Sequence, residues 1–163
     1  MTDNTNSSSP APLDVNAMLA EHFPEHAEHQ RRIEALRPDN KAVLFDALAA
    51  AGISRIVLSF DGYGDSGQVE SVEAYAGDDL VDVPQSSIEQ SFAEWDSPTP
   101  ATRLVSIEDA LEKLAYEFLE QTHGGWENND GAYGDFTFDV ADRSIVLNYN
   151  ERYTASESYQ HEF

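Results

Sequence analysis

The first fifty residues carry the signals of three short helices. These helices are predicted over residues 13–21, 24–36 and 40–51. We expect Pro38 to end the second helix, because proline lacks the amide hydrogen that a helix interior needs. Asp39 is expected to cap the third helix, whose apolar residues recur at i, i+1, i+4, i+5 and i+8. Gly52 follows as its C-terminal stop.

The pattern then changes to the alternation that is typical of strands. Five strands are predicted, over residues 56–60, 69–75, 80–83, 136–140 and 145–149. The first two form a hairpin whose long tip, residues 61–67, contains three glycines. Residues 85–102 show little periodicity, and we expect an irregular connector that Phe92 and Trp95 anchor onto the body.

One strongly amphipathic helix separates the two groups of strands. It is predicted over residues 105–122, where apolar residues follow one continuous helical stripe. Ser106 and Asp109 have the spacing of a capping box at its start, and Lys113 can pair with Glu117 one turn further on.

Hairpins on either side of a helix predict an α+β fold. We expect an antiparallel sheet of about four to five strands from two hairpins, with helices packed on one face and extra N-terminal helices. The predicted organisation is a tail (1–12), an N-terminal helical segment (13–38), the α+β domain (39–155) and a C-terminal tail (156–163). The other face of the sheet is expected to meet solvent or a partner, and its candidate positions include Glu70, Thr137, Asp139, Asn148 and Asn150.

Composition narrows the class of function. The chain has 163 residues, with 9 Lys and Arg against 31 Asp and Glu, and a net charge of −22. This charge argues against direct binding to nucleic acid or to an anionic membrane. The absence of cysteine excludes disulfides, thiolate zinc sites and thiol catalysis. No secretion signal or membrane span is visible, so we predict a cytoplasmic protein.

The acidic residues are unevenly distributed. Between Arg55 and Arg103 the sequence has ten acidic residues and no Lys or Arg. One interpretation is a surface that binds a cationic partner. The alternatives are an acidic surface that serves only solubility, or the charge of a protein from a high-salt environment.

Two glycine-rich segments hold the candidate chemistry. In residues 61–70, Asp61, Asp65 and Glu70 offer oxygen ligands for Ca²⁺ or Mg²⁺, although the spacing does not fit an EF-hand. The other interpretation is that the glycines only shape the tip of the hairpin.

The second segment, residues 123–135, combines aromatic and acidic residues. Trp126 and Tyr133 are either packing anchors or interface hot spots. The carboxylates there suggest a hydrolase alternative with His123 as base, which requires a pocket between the two segments. His22, His26 and His29 are interpreted as a solvated cluster, so no metal ligand and no catalytic residue is assigned.

Three short motifs resemble a known family. They are Gly64-Asp65-Ser66-Gly67, Gly125-Trp126-Glu127 and Asn150-Glu151-Arg152-Tyr153. Over residues 40–155 the chain resembles small acidic bacterial proteins, classed as a domain of unknown function and found on plasmids, phages and other mobile elements. The resemblance implies no catalytic residue. It does imply a context in which small acidic proteins often act as inhibitors or nucleic-acid mimics.

Together these observations predict a non-enzymatic acidic binding protein. We expect an inhibitor or regulator that engages a basic protein, such as a nucleic-acid-binding protein, by charge mimicry and without a cofactor. The expected binding residues are Asp61, Tyr63, Asp65, Glu70, Asp82, Trp126, Glu127, Asp130, Tyr133 and Asp135. The alternatives are a Ca²⁺- or Mg²⁺-binding module and a carboxylate-dependent hydrolase.

Overall fold

A computed structural model of the chain describes residues 24–64, 66–128 and 130–163. The helix predicted over residues 13–21 lies outside this part of the chain. Within it, the helices and strands in chain order are α1 (Pro24–Ala50), β1 (Arg55–Tyr63), β2 (Ser66–Ala76), β3 (Asp79–Val81), β4 (Ser87–Phe92), β5 (Ala101–Ser106), α2 (Ile107–His123), β6 (Ala132–Asp139) and β7 (Ser144–Glu151).

The predicted α+β fold is confirmed. Five strands form an antiparallel sheet in the order β3-β2-β1-β6-β7, and β4 pairs with β5 in a separate two-stranded antiparallel sheet. The hairpins β1–β2 and β6–β7 are both present, and they join where β1 pairs with β6. The larger sheet is therefore built from residues far apart in the sequence.

Both helices pack on the same face of the larger sheet, which we call the core face. There Leu58 of β1 lies between Val72 and Phe136 in the strand register. The Phe118 ring of α2 lies 6.4 Å from Phe136, and the Phe45 ring of α1 lies 6.3 Å from Phe138, measured between centroids. Burial of these side chains supplies the main driving force for folding.

Helix α2 agrees closely with its prediction. The Ser106 side-chain oxygen accepts a hydrogen bond from the backbone N–H of Asp109 at 3.0 Å, as the capping pattern requires. Lys113 pairs with Glu117 at 2.8 Å. The stripe that faces the sheet is fully buried at Ile107, Ala110, Leu111, Leu114, Ala115 and Leu119.

The predicted break at Pro38 is wrong, because α1 continues through it from Pro24 to Ala50. An interior proline costs about 3 kcal/mol in a helix. Tertiary contacts on either side of Pro38 offset this cost. Arg37 pairs with Glu117 of α2 at 3.0 Å, and the buried Asn40 side chain bonds to both the backbone N–H and C=O of Ser91, at 2.8 and 2.9 Å.

The connector predicted over residues 85–102 is also wrong in part, because it contains β4 and the start of β5. Ile88 and Gln90 are the buried, inward-facing positions of β4. The Gln90 side chain donates to the backbone C=O of Asn40 at 3.2 Å, which satisfies a polar group inside the protein. Because one of the two buried positions holds a polar glutamine, β4 lacks the alternation of apolar and polar residues that would have predicted a strand.

The first hairpin has a shorter tip than predicted. β1 extends to Tyr63 and β2 begins at Ser66, so Asp61 lies within a strand and not in a loop. A β-bulge at Ser59 and Phe60 leaves Glu70 as the extra residue of β2. After β7, residues 152–163 form no helix or strand.

Candidate functional site

The face of the larger sheet that points away from the helices is the candidate site, and we call it the outer face. It carries the strand positions in register with Val57, Ser59 and Asp61. Four predicted open-face residues lie there in the expected phase: Thr137, Asp139, Asn148 and Asn150. Val146 on the same face is 53% exposed, so the outer face meets solvent.

Four carboxylates of the outer face are held by donors that carry no charge. Each accepts one hydrogen bond, from the Gln68 amide (Glu70, 3.2 Å), the Tyr75 hydroxyl (Glu73, 2.7 Å), the Asn148 amide (Asp135, 2.9 Å) and the Asp142 backbone N–H (Asp139, 2.9 Å). These partners fix the position of each carboxylate without neutralising its charge. The bond to Glu73, more than burial, raises the pKa of the Tyr75 phenol.

Asp61, by contrast, is neutralised within the molecule. The Arg152 guanidinium donates to both of its carboxylate oxygens, at 2.8 and 3.1 Å, and to the Gly62 carbonyl at 3.1 Å. It also lies 4.6 Å from the centre of the Tyr133 ring. The hydrogen bond to Asp61 raises the pKa of Arg152 above its usual value. This arrangement joins β1, β6 and the segment after β7.

Two predicted aromatic residues remain accessible on the outer face. Tyr63 is 74% exposed at the end of β1, and Tyr133 is 44% exposed on β6. Exposed tyrosines among carboxylates are typical of protein interfaces, where the ring is buried on binding and the hydroxyl stays paired. Arg55 of the same face lies over the Tyr75 ring at 4.3 Å.

Trp126 is a packing anchor, and its alternative interpretation as an exposed interface residue is wrong. It is only 6% exposed, and its ring meets Phe60 edge to face at 5.4 Å. The ring covers Gly62 and Gly67 on the core face. A Cβ on Gly62 would lie 2.6 Å from Trp126 Cζ3, so these glycines leave the space that the indole occupies.

The other predicted site residues are dispersed. Asp130 accepts a hydrogen bond from Thr154 at 2.8 Å, and Glu127 has a buried Oε2 without a described hydrogen-bond partner. Asp82 is exposed directly after β3, whose last residue, Val81, lies opposite Ala74 of β2. Asp65 lies outside the described residues. The outer face therefore brings together Asp61, Tyr63, Glu70, Tyr133 and Asp135.

Sequence reasoning omitted Glu73, Arg55 and Arg152 from the site. Arg55 is in phase with Val57, so alternation along β1 could have identified it, whereas the β-bulge places Glu73 out of the phase that alternation from Glu70 predicts. Arg152 follows β7, and the sequence holds no signal that it pairs with a residue 91 positions earlier.

A cavity of about 410 Å³ lies at the end of the sheet, on the side of the core face, and we call it the loop cavity. Residues 122–126, 128, 130–131 and 149 and the pair Glu151 and Arg152 line it. The His123 and Tyr149 rings stack there with centroids 3.6 Å apart and planes 4° apart. The two glycine-rich segments meet at this end of the sheet, since Trp126 of one covers Gly62 and Gly67 of the other.

The described histidines and carboxylates do not form a metal site. In residues 24–64, 66–128 and 130–163, no group of three or more His, Cys, Asp or Glu side chains is arranged to hold a metal ion. His29 stacks on Trp95 at 3.6 Å, and His26 meets the same ring edge to face at 5.2 Å. Trp95 thus contacts α1, as the predicted anchoring role requires. His22 lies outside the described residues.

The fold and the outer face define a small α+β protein whose larger antiparallel sheet is covered on one face only by the described helices. None of its described helices has the length and apolar character to cross a membrane. The chain belongs to a family of unknown function, DUF6878, which matches residues 36–163. The predicted resemblance to a domain of unknown function is confirmed to that extent. Neither the curated proteins nor the solved structures contain a match to the chain.

Proposed function

We propose that the protein is a non-enzymatic inhibitor or regulator that binds a basic protein through its outer face. One observation carries this proposal: Glu70, Glu73, Asp135 and Asp139 accept hydrogen bonds from uncharged donors, and none of them forms an ion pair with a described Lys or Arg. Such carboxylates can take the place of nucleic-acid phosphates in front of Lys and Arg side chains. The proposal has three further parts. The basic partner is a nucleic-acid-binding protein, the protein acts in the cytoplasm, and it is encoded on a mobile element.

The charge balance of the outer face supports a cationic partner. Among the described residues, five carboxylates, at Asp61, Glu70, Glu73, Asp135 and Asp139, share the face with two guanidinium groups, at Arg55 and Arg152. One of these guanidinium groups is already paired with Asp61. Tyr63 and Tyr133 add apolar area at the same end of the sheet, where a partner could bury them.

The test uses a fluorescently labelled octa-arginine peptide and two triple variants. The outer-face variant is Glu70→Gln, Glu73→Gln and Asp135→Asn. The control variant is Glu34→Gln, Glu108→Gln and Glu120→Gln, which removes exposed carboxylates from the helices. Because both variants lose three negative charges, a difference between them reports where the peptide binds.

We expect the outer-face variant to bind the peptide about tenfold more weakly than the control variant. Three solvated ion pairs of about 0.5 kcal/mol each give this ratio. Affinity is measured by fluorescence anisotropy at low and high salt, and high salt should remove most of the binding. Equal loss in both variants would contradict the proposal and favour a surface that serves only solubility.

The two alternatives keep separate tests. A Ca²⁺- or Mg²⁺-binding module predicts a rise in melting temperature at millimolar metal that Asp65→Asn abolishes. A hydrolase requires a concave site between the glycine-rich segments, whereas the loop cavity is lined by the second segment and the end of β7 and by none of the described residues of the first segment. It also predicts turnover that His123→Gln removes. We favour the binding protein because the fixed carboxylates lie on an open face and not in the cavity.

A further inference from the structure

We propose that the loop cavity is a pocket for the guanidinium group of an arginine side chain on the basic partner. This inference rests on the proposed function, because it assumes a partner that lies on the outer face. It adds the class of side chain that the partner inserts and the place where that side chain binds.

The position of the cavity suits a side chain from such a partner. Arg152 lines the cavity and also pairs with Asp61 on the outer face, so the two regions adjoin. The volume of about 410 Å³ is at the lower end of the range for ligand pockets. It accommodates one long side chain that reaches over the end of the sheet.

The charge of the cavity favours a cation. The carboxylates of Asp130 and Glu151 line it, and no described Lys or Arg pairs with either. The one guanidinium in the lining, that of Arg152, is committed to Asp61 and the Gly62 carbonyl. Burial raises the pKa of the Tyr149 phenol, and the negative charges of Glu151 and Glu127 raise it further. The carboxylates of Glu151 and Glu127 therefore both act on this part of the cavity wall.

The shape of the wall favours a planar cation over a spherical one. The His123 and Tyr149 rings stack face to face, so a free face of this stack offers a flat aromatic surface, and Trp126 also lines the cavity. A guanidinium stacks on such a surface and donates several hydrogen bonds in its own plane, whereas an ammonium is a hydrated point charge. A metal ion fits less well, because no described group of three His, Cys, Asp or Glu side chains is arranged to hold one.

The test titrates the ¹⁵N-labelled protein with N-acetyl-L-arginine methylamide and follows the backbone amides by NMR. The matched neutral probe is the citrulline analogue, which has the same shape without the charge, and the lysine analogue tests planarity. We expect the arginine probe to shift the amides of His123, Gly125 and Glu151 in a saturable way. The citrulline and lysine probes should bind at least about tenfold more weakly.

Two variants separate this inference from the proposed function. Glu151→Gln should weaken the arginine probe about tenfold, whereas Glu157→Gln, which removes an exposed carboxylate from the C-terminal segment, should leave it unchanged. The outer-face triple variant should keep the cavity shifts and bind the octa-arginine peptide about tenfold more weakly than the control variant.

The outcomes that would overturn the inference are distinct. Equal shifts with arginine and citrulline, or arginine shifts confined to the outer face, would overturn the guanidinium pocket. If the outer-face variant still bound octa-arginine more weakly than the control variant, the proposed function would survive the failure of the guanidinium pocket. If octa-arginine did not distinguish them while the arginine probe still saturated the cavity, the proposed function would fail and the cavity would remain an arginine site for another ligand.

Discussion

Replacing Gly67 with alanine tests whether the glycines of the first hairpin exist to accommodate Trp126. Gly67 lies opposite Gly62 on the core face, beneath the indole ring. A Cβ at Gly67 would lie 2.8 Å from both Cζ2 and Cζ3 of Trp126 and closer still to Cη2. Since carbon atoms in good contact are about 3.5–4.0 Å apart, the ring would have to move.

The expected cost is that of overpacking a core. Added methyl groups in well-packed sites typically cost about 1–3 kcal/mol. The ring has little freedom to move, because it is almost fully buried and packs edge to face on Phe60. We therefore expect Gly67→Ala to lower the free energy of unfolding by about 1–3 kcal/mol. Without the clash, alanine in a strand would be favoured over glycine by about 0.5–1 kcal/mol.

The assay is urea denaturation followed by far-UV circular dichroism, with a double-mutant cycle. All three atoms nearest the new Cβ belong to Trp126, so in a Trp126→Leu background Gly67→Ala should be neutral or stabilising. Gly124→Ala is the matched control, because its Cβ would have no neighbour closer than 3.5 Å and its φ is −54°. If Gly67→Ala matched that control, or kept its full cost without the indole, the packing argument would be refuted.

Four further predictions concern stability. Asn40→Ala should cost about 2–3 kcal/mol and speed amide exchange at Ser91, because it leaves buried backbone groups unpaired. Arg152→Lys should lower the midpoint of urea denaturation, and lower it less in an Asp61→Asn background, since lysine cannot reproduce the two-bond pair. Burial raises the pKa of the Glu112 carboxyl, and the negative charges of Glu108 and Asp109 raise it further, so the folded protein disfavours the charged form of Glu112. Glu112→Gln should therefore stabilise at pH 7, with the gain in melting temperature vanishing below roughly pH 4. Raising NaCl from about 20 mM to about 0.5 M should raise the melting temperature of this −22 chain, and a fall would contradict net self-repulsion.

The parts of the fold that sequence predicted were those where local pattern and tertiary role agree. Helix α2 has a capping signal and a continuous apolar stripe, and both are present in the structure. The errors arose where a distant partner overrides a local rule. Pro38 stays inside α1 because residues beside it bond to α2 and β4, and β4 was not predicted because one of its two buried positions is the polar Gln90. Neither partner is visible in the local sequence.

The candidate site shows the same division. The open face of the sheet was predictable, because alternation assigns Thr137, Asp139, Asn148 and Asn150 to one side. The role of Trp126 was not, since a tryptophan in a glycine-rich segment fits either an interface or a packing anchor until the facing glycines are located. The bulge opposite Ser59 and Phe60 also shifts the phase of β2, so strand alternation alone gives Glu70 and Glu73 opposite faces.

The way the outer-face carboxylates are held bears on whether their charge serves binding or only solubility. Solubility requires net charge but no particular geometry, and a freely rotating glutamate supplies it without loss of side-chain entropy. Glu70, Glu73 and Asp135 are instead fixed by hydrogen bonds from neighbouring side chains, although pairing with lysine or arginine would reduce their mutual repulsion. An array that is ordered but not neutralised loses little further entropy when a cationic surface meets it. This arrangement is the one that charge mimicry requires, and it is the reason for testing fixed carboxylates of the outer face against solvated ones on the helices.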